Sequence, residues 1–353
     1  MGVVLVGLSH KTAPLQMREH LTVPKEKLEQ ALVTLQSQVG VKEAVVLSTC
    51  NRLEVYAHPE KDPKQTFVSL SSFFKDLYKA PKLTSSLYKY QSQDAILHLF
   101  RVASGLDSLV IGESEILGQI KSAYLTAHQH GSTGKITNVL FQRALFVGKQ
   151  VRVQTDISEG ASSVASIAVQ LALRIFGELA HHHVLLLGAG TMAEVTTRHL
   201  ISQKAGHLTV LNRTPEKAKE LAKLLNGKGG SLDQLETELL KADIVICSVS
   251  SDNPFINEGM VAQIMKQRRQ RSLYFIDIAV PRNVHPKVHD LDNVYVYNLD
   301  DLQGIVDENL VRRKKAVTSA ESFANERAKE FQDWISGTLK GDRVSLRHYP
   351  NKG

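Results

Sequence analysis

Apolar and polar positions follow two different periods along the first 154 residues, which predicts a mixture of strands and helices. Short apolar runs predict strands at residues 3–7, 44–48 and 53–57. Stretches with helical spacing predict helices over 25–38, 95–103 and 114–128, and a helical segment that continues to residue 150. Asp94 is a suitable N-cap for the second of these helices. The N-terminal part of the chain is therefore an α/β domain, which we place at residues 1–155.

Compact apolar runs with glycine turns and helices between them characterise residues 156–299. After an alanine-rich helix at 164–176, strands are predicted at 184–187, 208–211, 244–247 and 274–277. Such short, wholly apolar runs are typical of parallel strands that are buried on both faces. The pattern predicts a doubly wound α/β domain of Rossmann type.

One long helix is predicted from about residue 300 to residue 336, because this segment has no proline and no glycine after Gly304. Apolar side chains recur at every third or fourth position and include Phe331, Trp334 and Ile335. A single core rarely covers a rod of about 50 Å, so we expect this apolar stripe to be exposed in the monomer. The segment 300–353 is therefore interpreted as a linker and dimerisation helix with a short basic tail.

The composition narrows the class of protein. With 42% hydrophobic and 22% charged residues, the chain is neither disordered nor fibrous. Two cysteines are too few for a disulfide framework and indicate a reducing compartment; Cys247 ends a predicted strand and is expected in the core. No apolar run approaches the ~20 residues of a membrane span, and the N-terminus lacks the features of an export signal or lipid anchor. We therefore expect a cytoplasmic protein that does not contact a membrane.

The net charge of +7 favours a polyanionic partner such as nucleic acid, although basic residues often lie on solvated faces. Lysines and arginines cluster at 266–271, at 312–315 and in the tail after residue 340. The last two clusters are the candidate phosphate contacts.

A glycine-rich turn follows the first predicted strand of the second domain and opens a helix. It has the pattern G-x-G-x-x-A and consists of Gly188, Ala189, Gly190, Thr191, Met192 and Ala193. Its glycines allow the backbone to approach a pyrophosphate group, which the helix N-terminus then binds. The next strand ends in Asn212, Arg213 and Thr214, where enzymes that use NADH carry an acidic residue. These side chains favour the 2′-phosphate of NADPH.

Cys50 lies in a polar break between two apolar strands. Free cysteines are often buried and structural, but Thr49, Asn51 and Arg52 surround this one with hydrogen-bonding groups and a positive charge. Such neighbours are expected to lower the pKa of the thiol, which would make Cys50 a nucleophile, and the residues alone leave both interpretations open. His98 lies among apolar residues, and the residues alone leave open whether it is a core histidine or a functional one.

Four stretches together resemble the glutamyl-tRNA reductase family: 48–56 (STCNRLEVY), 98–113 (HLFRVASGLDSLVIGE), 118–121 (GQIK) and 277–282 (DIAVPR). The similarity extends from residues 7–14 (GLSHKTAP) to residues 297–301 and into the long helix. It implies an enzyme that reduces glutamyl-tRNA to glutamate-1-semialdehyde with NADPH, the first step of the five-carbon route to tetrapyrroles. It further implies a homodimer, and association with glutamate-1-semialdehyde aminomutase is an additional expectation.

The same resemblance assigns roles to residues. Cys50 is expected to attack the aminoacyl ester and form a thioester, and Arg52 to bind the side-chain carboxylate of the substrate through two hydrogen bonds. His98 matches the family's histidine near the nucleophile, either as an acid–base group or as an orienting one. The remaining pocket residues are Thr49, Asn51, Ser108, Glu113, Ser114, Glu115 and Gln119. Of these, Glu115 stands where relatives often carry Gln.

Two other functions are left open by the residues. One is a different NADP-linked reductase that acts on a small acyl substrate, and the other is a non-catalytic tRNA-binding regulator. The sequence after Trp334 is shorter than the helical C-terminal region usual in the family, so the dimer is expected to be weak.

Overall fold

The computed structural model describes residues 2–19, 25–37, 40–78, 83–113, 115–155, 157, 163–224, 226–302 and 314–340. The chain forms two compact units. The first unit comprises residues 1–161 and 310–353, and the second comprises residues 162–309.

An antiparallel sheet forms the centre of the first unit. Its strands are β1 (Val4–Ser9), β2 (Val41–Ser48), β3 (Arg52–Pro59) and β4 (Tyr88–Gln91). Their order across the sheet is β2-β3-β1-β4, and every residue of β1 and β3 is buried. The helices of the N-terminal part are α1 (Leu15–Glu19), α2 (Lys25–Ser37), α3 (Pro63–Tyr78), α4 (Gln93–Ala103), α5 (Glu115–Gln129) and α6 (Lys135–Gln154). The predicted α/β character of this region is confirmed.

Two details of this region differ from the sequence analysis. Helix α4 begins at Gln93 with Ser92 at the N-cap position, so Asp94 lies within the first turn, where its charge still favours the helix dipole. Helix α3 and strand β4 were not predicted. Strand β4 has only four residues (YKYQ), too few to establish a period from sequence alone.

A parallel sheet forms the centre of the second unit. Its strands are β5 (His183–Leu187), β6 (His207–Asn212), β7 (Lys228–Ser231), β8 (Ile244–Cys247), β9 (Leu273–Asp277) and β10 (Val294–Asn298). The helices are α7 (Val164–Phe176), α8 (Thr191–Ser202), α9 (Pro215–Lys223), α10 (Leu235–Leu239) and α11 (Glu258–Gln267). The strand order β10-β9-β8-β5-β6-β7 is that of a Rossmann fold, which confirms the prediction. Cys247 is fully buried, as predicted.

Strand β7 shows why the sequence did not reveal every strand. It reads KGGS and contains no apolar side chain. Its glycines allow α9 to pack closely, since a Cβ atom at Gly229 would lie 2.4 Å from the Cα atom of Lys219. The strand is therefore specified by close backbone packing, and not by hydrophobic side chains.

The long C-terminal helix, α12 (Lys314–Lys340), belongs to the first unit and packs against α4 and α6. Phe331, Trp334 and Ile335 are buried there, and the ring centroids of Phe331 and Phe100 are 6.2 Å apart. The prediction that this apolar stripe is exposed was therefore wrong, because α4 and α6 of the same chain cover it. The stripe gives no reason to expect a dimer along this helix.

The predicted bounds of this helix also change. Residues 300–302 form a turn, and residues 303–313 lie outside the described part of the chain. Helix α12 continues through Gly337, which is buried, and ends at Lys340. Among the described residues, no helix is both long enough and apolar enough to cross a membrane.

We predict that Phe331→Ala lowers the free energy of unfolding of the first unit by about 3–5 kcal/mol, because it leaves a cavity between α12 and α4. Leu339→Ala on the same helix is the matched control, since Leu339 is 43% exposed, and it should cost less than about 1 kcal/mol. Urea unfolding of both variants measures the difference. Equal losses would contradict the packing of α12 described here.

Candidate active site

Residues 49–51 form a tight loop between β2 and β3, and Cys50 lies at its tip. The backbone N–H of Thr49 donates to the carbonyl of Arg52 at 2.9 Å. The Thr49 hydroxyl accepts from the backbone N–H groups of Asn51, at 3.2 Å, and Arg52, at 3.1 Å. The polar residues on both sides of Cys50 thus shape the turn that presents the thiol.

Arg18, a residue that sequence analysis did not single out, holds this loop from α1. Its Nη1 donates to the carbonyl of Cys50 at 3.1 Å and to Asn51 Oδ1 at 2.8 Å, and its Nε donates to the carbonyl of Ala13. Arg18 is buried. No pattern in the sequence distinguishes this arginine from the others, because its two partners in the loop, Cys50 and Asn51, lie more than 30 residues away.

Arg52 is buried at the start of β3 between two carboxylates. Its Nη1 donates to Glu54 Oε1 at 2.6 Å, and its Nη2 donates to Asp107 Oδ2 at 3.0 Å and to the carbonyl of Asp107. Lys11 pairs with the other oxygen of the Asp107 carboxylate. Three of the five N–H groups of a guanidinium are therefore used within the protein.

This arrangement differs from the expected role of Arg52. Arg52 is 2% exposed, and both of its terminal nitrogens already donate to a carboxylate, so the end of the guanidinium is not available for fork-like binding of a substrate carboxylate. In the sequence, Glu54 is two residues from Arg52 on the same strand, and Asp107 is 55 residues from Arg52. Direct binding by Arg52 stays a prediction that requires one of these ion pairs to open.

Glu54 is the acceptor at the centre of the same network. Its two oxygens accept from the hydroxyls of Tyr56 and Tyr88, and Oε1 lies 2.7 Å from Nε2 of His98. Although burial alone would raise the pKa of this carboxyl, Arg52 and His98 hold it well below its usual range. The network thus favours the ionised form of Glu54.

Gly7 of β1 provides the space for this carboxylate. Gly7 pairs with Glu54 on one side and with Tyr88 on the other. A Cβ atom on Gly7 would lie 2.7 Å from Cγ of Glu54 and 2.9 Å from the carbonyl oxygen of Leu53. The absent side chain lets Glu54 and Tyr88 meet across the middle strand.

His98 is placed on α4 by this network and by two aromatic rings. Its side chain is 10% exposed, and its ring lies 5.3 Å from that of Tyr88 and 5.2 Å from that of Tyr90. It is thus a hydrogen-bonded histidine and not one enclosed only by apolar core residues. Whether it also takes part in catalysis stays a prediction.

We predict that Glu54→Gln costs about 3–5 kcal/mol of stability, because it leaves the Arg52 cation without its closest counter-ion. The loss should be fully present above about pH 5 and should shrink as the pH falls below about 4. The pKa of Glu54 is lower in the folded protein than in the unfolded chain, so the carboxylate stabilises the fold fully only where the unfolded chain is ionised as well. Denaturant unfolding between pH 3 and 8 measures this difference. Exposed Glu60→Gln is the control, and an equal cost at both positions would contradict the network.

The environment of the Cys50 thiol corrects an expectation. Its neighbours were expected to lower the thiol pKa, but burial and the nearby carboxylate of Glu113 raise it to about 12, and Arg18 opposes this only in part. The charge of Arg52 is already balanced by Glu54 and Asp107, which explains why it does not activate the thiol. In this state of the protein Cys50 is a thiol and not a thiolate at neutral pH.

The remaining pocket residues lie on the segment between α4 and α6. Ser108 is buried next to Asp107, and Glu113 and Glu115 are half-buried. Burial and the charge of Glu115 raise the pKa of Glu113 to about 7. Gln119 is exposed on α5, one turn after Glu115, and Ser114 lies outside the described residues. The structure thus brings Glu113 and Glu115 close enough to Cys50 to raise the pKa of its thiol. Gln119, in contrast, is exposed to solvent.

We predict that Glu113→Gln lowers the pKa of the Cys50 thiol, because it removes the carboxylate charge that disfavours the thiolate. Alkylation of Cys50 by iodoacetamide at pH 8, where Glu113 is mostly ionised, should then become roughly tenfold faster. Glu115→Gln is the matched variant and should give a smaller increase, since its charge affects the thiol less. An unchanged or slower reaction of the Glu113 variant would contradict the electrostatic description.

The glycine-rich turn of the second unit has the geometry of a dinucleotide site. Gly188 has φ of 107°, which favours glycine, and a Cβ atom there would lie 2.9 Å from the Ser248 hydroxyl. Gly190 is the N-cap residue of α8, and a Cβ atom there would meet nothing within 4 Å. The N-terminus of α8 is therefore open to an anionic group, while Ala193 is buried in the first turn. These residues fit a pyridine nucleotide.

The end of β6 lies beside this turn. Arg213 and Thr214 are exposed, and Asn212 is half-buried with its side chain donating to the carbonyl of Thr214. Nη2 of Arg213 donates to the carbonyl of Ser250 at 2.9 Å, and a polar cavity of ≈ 400 Å³ is lined by Arg213 and residues 250–253. An exposed guanidinium on the rim of this cavity can contact a phosphate group.

Some of the predicted basic surface has a structural role. In the cluster 266–271, Arg268 is buried and donates to the carbonyls of Leu239, Leu240 and Ser272, and Arg271 donates to those of Leu240 and Lys241. Both arginines thus satisfy the C-terminal end of α10. Lys314 and Lys315 are exposed at the start of α12, whereas residues 312, 313 and the tail lie outside the described residues.

Two family models match the chain. The first is "Glutamyl-tRNAGlu reductase, N-terminal domain" over residues 6–155, and the second is "Shikimate / quinate 5-dehydrogenase" over residues 170–305. The chain is 44% identical over 351 residues to a glutamyl-tRNA reductase of Pseudoalteromonas translucida, which covers 99% of this chain and 83% of the relative. It is 40% identical over 338 residues to that of Bacillus subtilis, covering 95% and 74%.

A solved structure gives the same result. The glutamyl-tRNA reductase from Methanopyrus kandleri matches with a TM-score of 0.52 and 35% identity, over 96% of this chain and 81% of that one. The similarity thus extends over both units, and is not limited to the nucleotide-binding fold.

Proposed function

Since the chain belongs to the glutamyl-tRNA reductase family, we propose a mechanism in which Cys50 carries the glutamyl group between two half-reactions. The enzyme reduces glutamyl-tRNA to glutamate-1-semialdehyde, the first step of tetrapyrrole biosynthesis. The two alternatives, a reductase of another small acyl substrate and a non-catalytic regulator, are not favoured. The observation that supports the mechanism best is the loop 49–51, which presents one thiol beside two acidic side chains and is held from α1 and β3.

In the first half-reaction, the sulfur of Cys50 attacks the carbonyl carbon of the aminoacyl ester. A carbon–sulfur bond forms, the bond to the ribose oxygen of the tRNA breaks, and the thiol proton ends on that oxygen. Because the thiol pKa is about 12, the proton must leave during the attack and not before it. Arg18 contributes by fixing the backbone of the loop, so that the sulfur keeps its position while the ester binds.

In the second half-reaction, the thioester carbonyl is reduced to the aldehyde, the carbon–sulfur bond breaks, and the sulfur takes a proton from water to regenerate the thiol of Cys50. A pyridine nucleotide supplies the hydride, and a thioester accepts hydride far more readily than a carboxylate. Gly188 and Gly190 provide the turn for the pyrophosphate, and Ala193 packs α8 against the sheet. The chain's own contribution is therefore to keep the acyl group bound to the sulfur, so that no intermediate is released between the two half-reactions.

We predict that Cys50→Ser abolishes formation of the semialdehyde from glutamyl-tRNA, because a hydroxyl ionises even less readily than this thiol and its ester accepts hydride poorly. Reductase activity with glutamyl-tRNA and nucleotide is the measurement, and the wild-type enzyme should also release free glutamate slowly when the nucleotide is left out. Cys247→Ser is the matched control and should keep most of the activity. Near wild-type turnover by the Cys50 variant would refute the thioester mechanism.

NADPH is the nucleotide we propose. Strand β6 ends in Asn212 and not in an acidic residue, and Asn212, Arg213 and Thr214 offer amide, guanidinium and hydroxyl groups. Arg213 is exposed and donates to a backbone carbonyl, a hydrogen bond that it can exchange for one to a 2′-phosphate.

We predict that Arg213→Ala raises the Michaelis constant for NADPH about 10- to 100-fold and hardly changes that for NADH. A charge-assisted hydrogen bond of ~1.5–3 kcal/mol to the 2′-phosphate accounts for this range. Steady-state kinetics with NADPH and with NADH measures the two Michaelis constants. Equal losses for the two would assign Arg213 to structure.

The other expected partners stay predictions. The substrate is glutamyl-tRNA, and exposed Lys314 and Lys315 are available for its phosphates. A homodimer and association with the aminomutase follow from the resemblance alone, since the apolar stripe of α12 is covered within the chain. The cytoplasmic location is a proposal that the composition supports.

A further inference from the structure

The motif 277–282 (DIAVPR) begins with the last residue of β9 and leads directly to Asn283. Asp277 organises the turn that follows the strand, and its side chain is buried. Its Oδ1 accepts from the backbone N–H of Ala279 at 3.1 Å. Its Oδ2 accepts from the backbone N–H groups of Asn283, at 2.7 Å, and Val284, at 2.8 Å. A buried carboxylate with three backbone donors fixes the path of the chain, so the motif sets the position of Asn283.

The side chain of Asn283 binds Val249, the second residue after β8, as a neighbouring strand would. Oδ1 of Asn283 accepts from the backbone N–H of Val249 at 3.0 Å, and Nδ2 donates to the carbonyl of Val249 at 2.9 Å. The backbone carbonyl of Asn283 accepts from the N–H groups of Phe255, at 3.0 Å, and Ile256, at 3.1 Å. Asn283 thus holds both ends of the segment 249–256, which we call the β8 loop.

The β8 loop borders the crevice in which a Rossmann fold binds its nucleotide. In the strand order, β6 lies on one side of β5 and β8 lies on the other, so the switch point of the topology is between β5 and β8. Ser248 begins the connection after β8, and its backbone N–H and hydroxyl both donate at 2.9 Å to the carbonyl of Leu187, directly before Gly188. The polar cavity at Arg213 is lined by residues 250–253 of the β8 loop. The loop is therefore one wall of the nucleotide crevice.

The ends of this loop, and not its middle, are buried. Val249 and Ile256, the two ends that Asn283 binds, are buried, whereas the cavity-lining residues 250–253 are all at least partly exposed. These four residues are Ser, Ser, Asp and Asn, which offer no apolar side chain for packing. Arg213 also donates to the loop, but that hydrogen bond is the one exchanged for a 2′-phosphate. The hydrogen bonds at the ends therefore determine where this wall lies when a nucleotide is bound.

We propose that Asn283 is a positioning residue of the nucleotide site and keeps the β8 loop in the shape that binds a pyridine nucleotide. This inference rests on the proposed function, because it requires a nucleotide in the crevice. The Asn283 side chain is 0% exposed and both ends of its amide bind Val249, so it acts through the loop and not by contact with the ligand. A wall that is held in advance lowers the conformational cost of binding, whichever nucleotide is bound. Asn283 therefore affects NADPH and NADH alike, whereas Arg213 affects only NADPH.

Asn283→Leu tests this role, because leucine fills the space of the amide without a hydrogen bond to Val249. If the β8 loop then takes the binding shape about a tenth of the time, the Kd values for NADP⁺ and NAD⁺ both rise about tenfold. Calorimetric titration of the full chain with these acid-stable oxidised forms measures both constants. Asn257→Leu is the matched control, since the Asn257 amide caps α11 just beyond the loop by accepting from the N–H of Met260 at 3.0 Å. It should leave both Kd values unchanged.

Asn283→Asp provides a second readout. A protonated carboxyl offers Val249 one donor and one acceptor, as the amide does, whereas an ionised carboxylate offers only acceptors. Burial and the nearby Asp277 are expected to raise the pKa of the introduced carboxyl. Relative to the wild type at the same pH, we expect nearly unchanged binding of NADP⁺ at pH 5 and about tenfold weaker binding at pH 8. Asn283→Leu should show no such recovery at pH 5.

The outcomes separate this role from the proposed function. A wild-type chain that binds neither nucleotide would refute both. If the wild type binds nucleotide, the role of Asn283 alone is overturned by wild-type constants in Asn283→Leu, by a rise confined to NADP⁺, or by an equal rise in Asn257→Leu. A pH-independent effect of Asn283→Asp would overturn it as well, and this comparison decides alone if Asn283→Leu does not fold.

Discussion

A buried guanidinium between two carboxylates is the interaction on which the rest of the site depends. Arg52 begins β3, directly after the loop that carries Cys50, and its ion pairs with Glu54 and Asp107 fix that end of the sheet. Glu54 in turn holds Tyr88 of β4 and His98 of α4, so three elements meet on one carboxylate. Removing either charge would leave the other buried and uncompensated, which proteins tolerate poorly. The network therefore gives the active-site loop a single arrangement.

The same network limits what the chemistry can use. Because Arg52 is neutralised within the protein, it does not activate the thiol, and the pKa of Cys50 stays well above its usual value beside Glu113. The thiol is thus protected from unspecific oxidation and alkylation until a substrate is present. Orientation by Arg18, which binds the loop backbone, then becomes the main contribution of the chain to the first half-reaction.

Much of this could be predicted from sequence, and the failures have identifiable causes. Apolar runs and the turn at Gly188–Ala193 revealed the Rossmann-type unit, and the motif around Cys50 revealed the family. Strand β7 lacked an apolar residue, and the partners of Arg18 and Arg52 come from segments that meet only in the folded chain. The packing of Phe331 against α4 could not be predicted, because an amphipathic pattern does not show whether the apolar face packs against the same chain or against another. The residue types thus indicated which side chains belong to the site, but not that the charge of Arg52 is already paired with Glu54 and Asp107.

The crystal structure of the enzyme with a non-hydrolysable analogue of the glutamyl ester of adenosine tests the central claim most directly. We expect the sulfur of Cys50 to lie within about 3.5 Å of the ester carbonyl carbon in that complex, with the loop 49–51 still held by Arg18. A sulfur that does not contact that carbon, or a loop that has lost its hydrogen bonds to Arg18, would contradict the account.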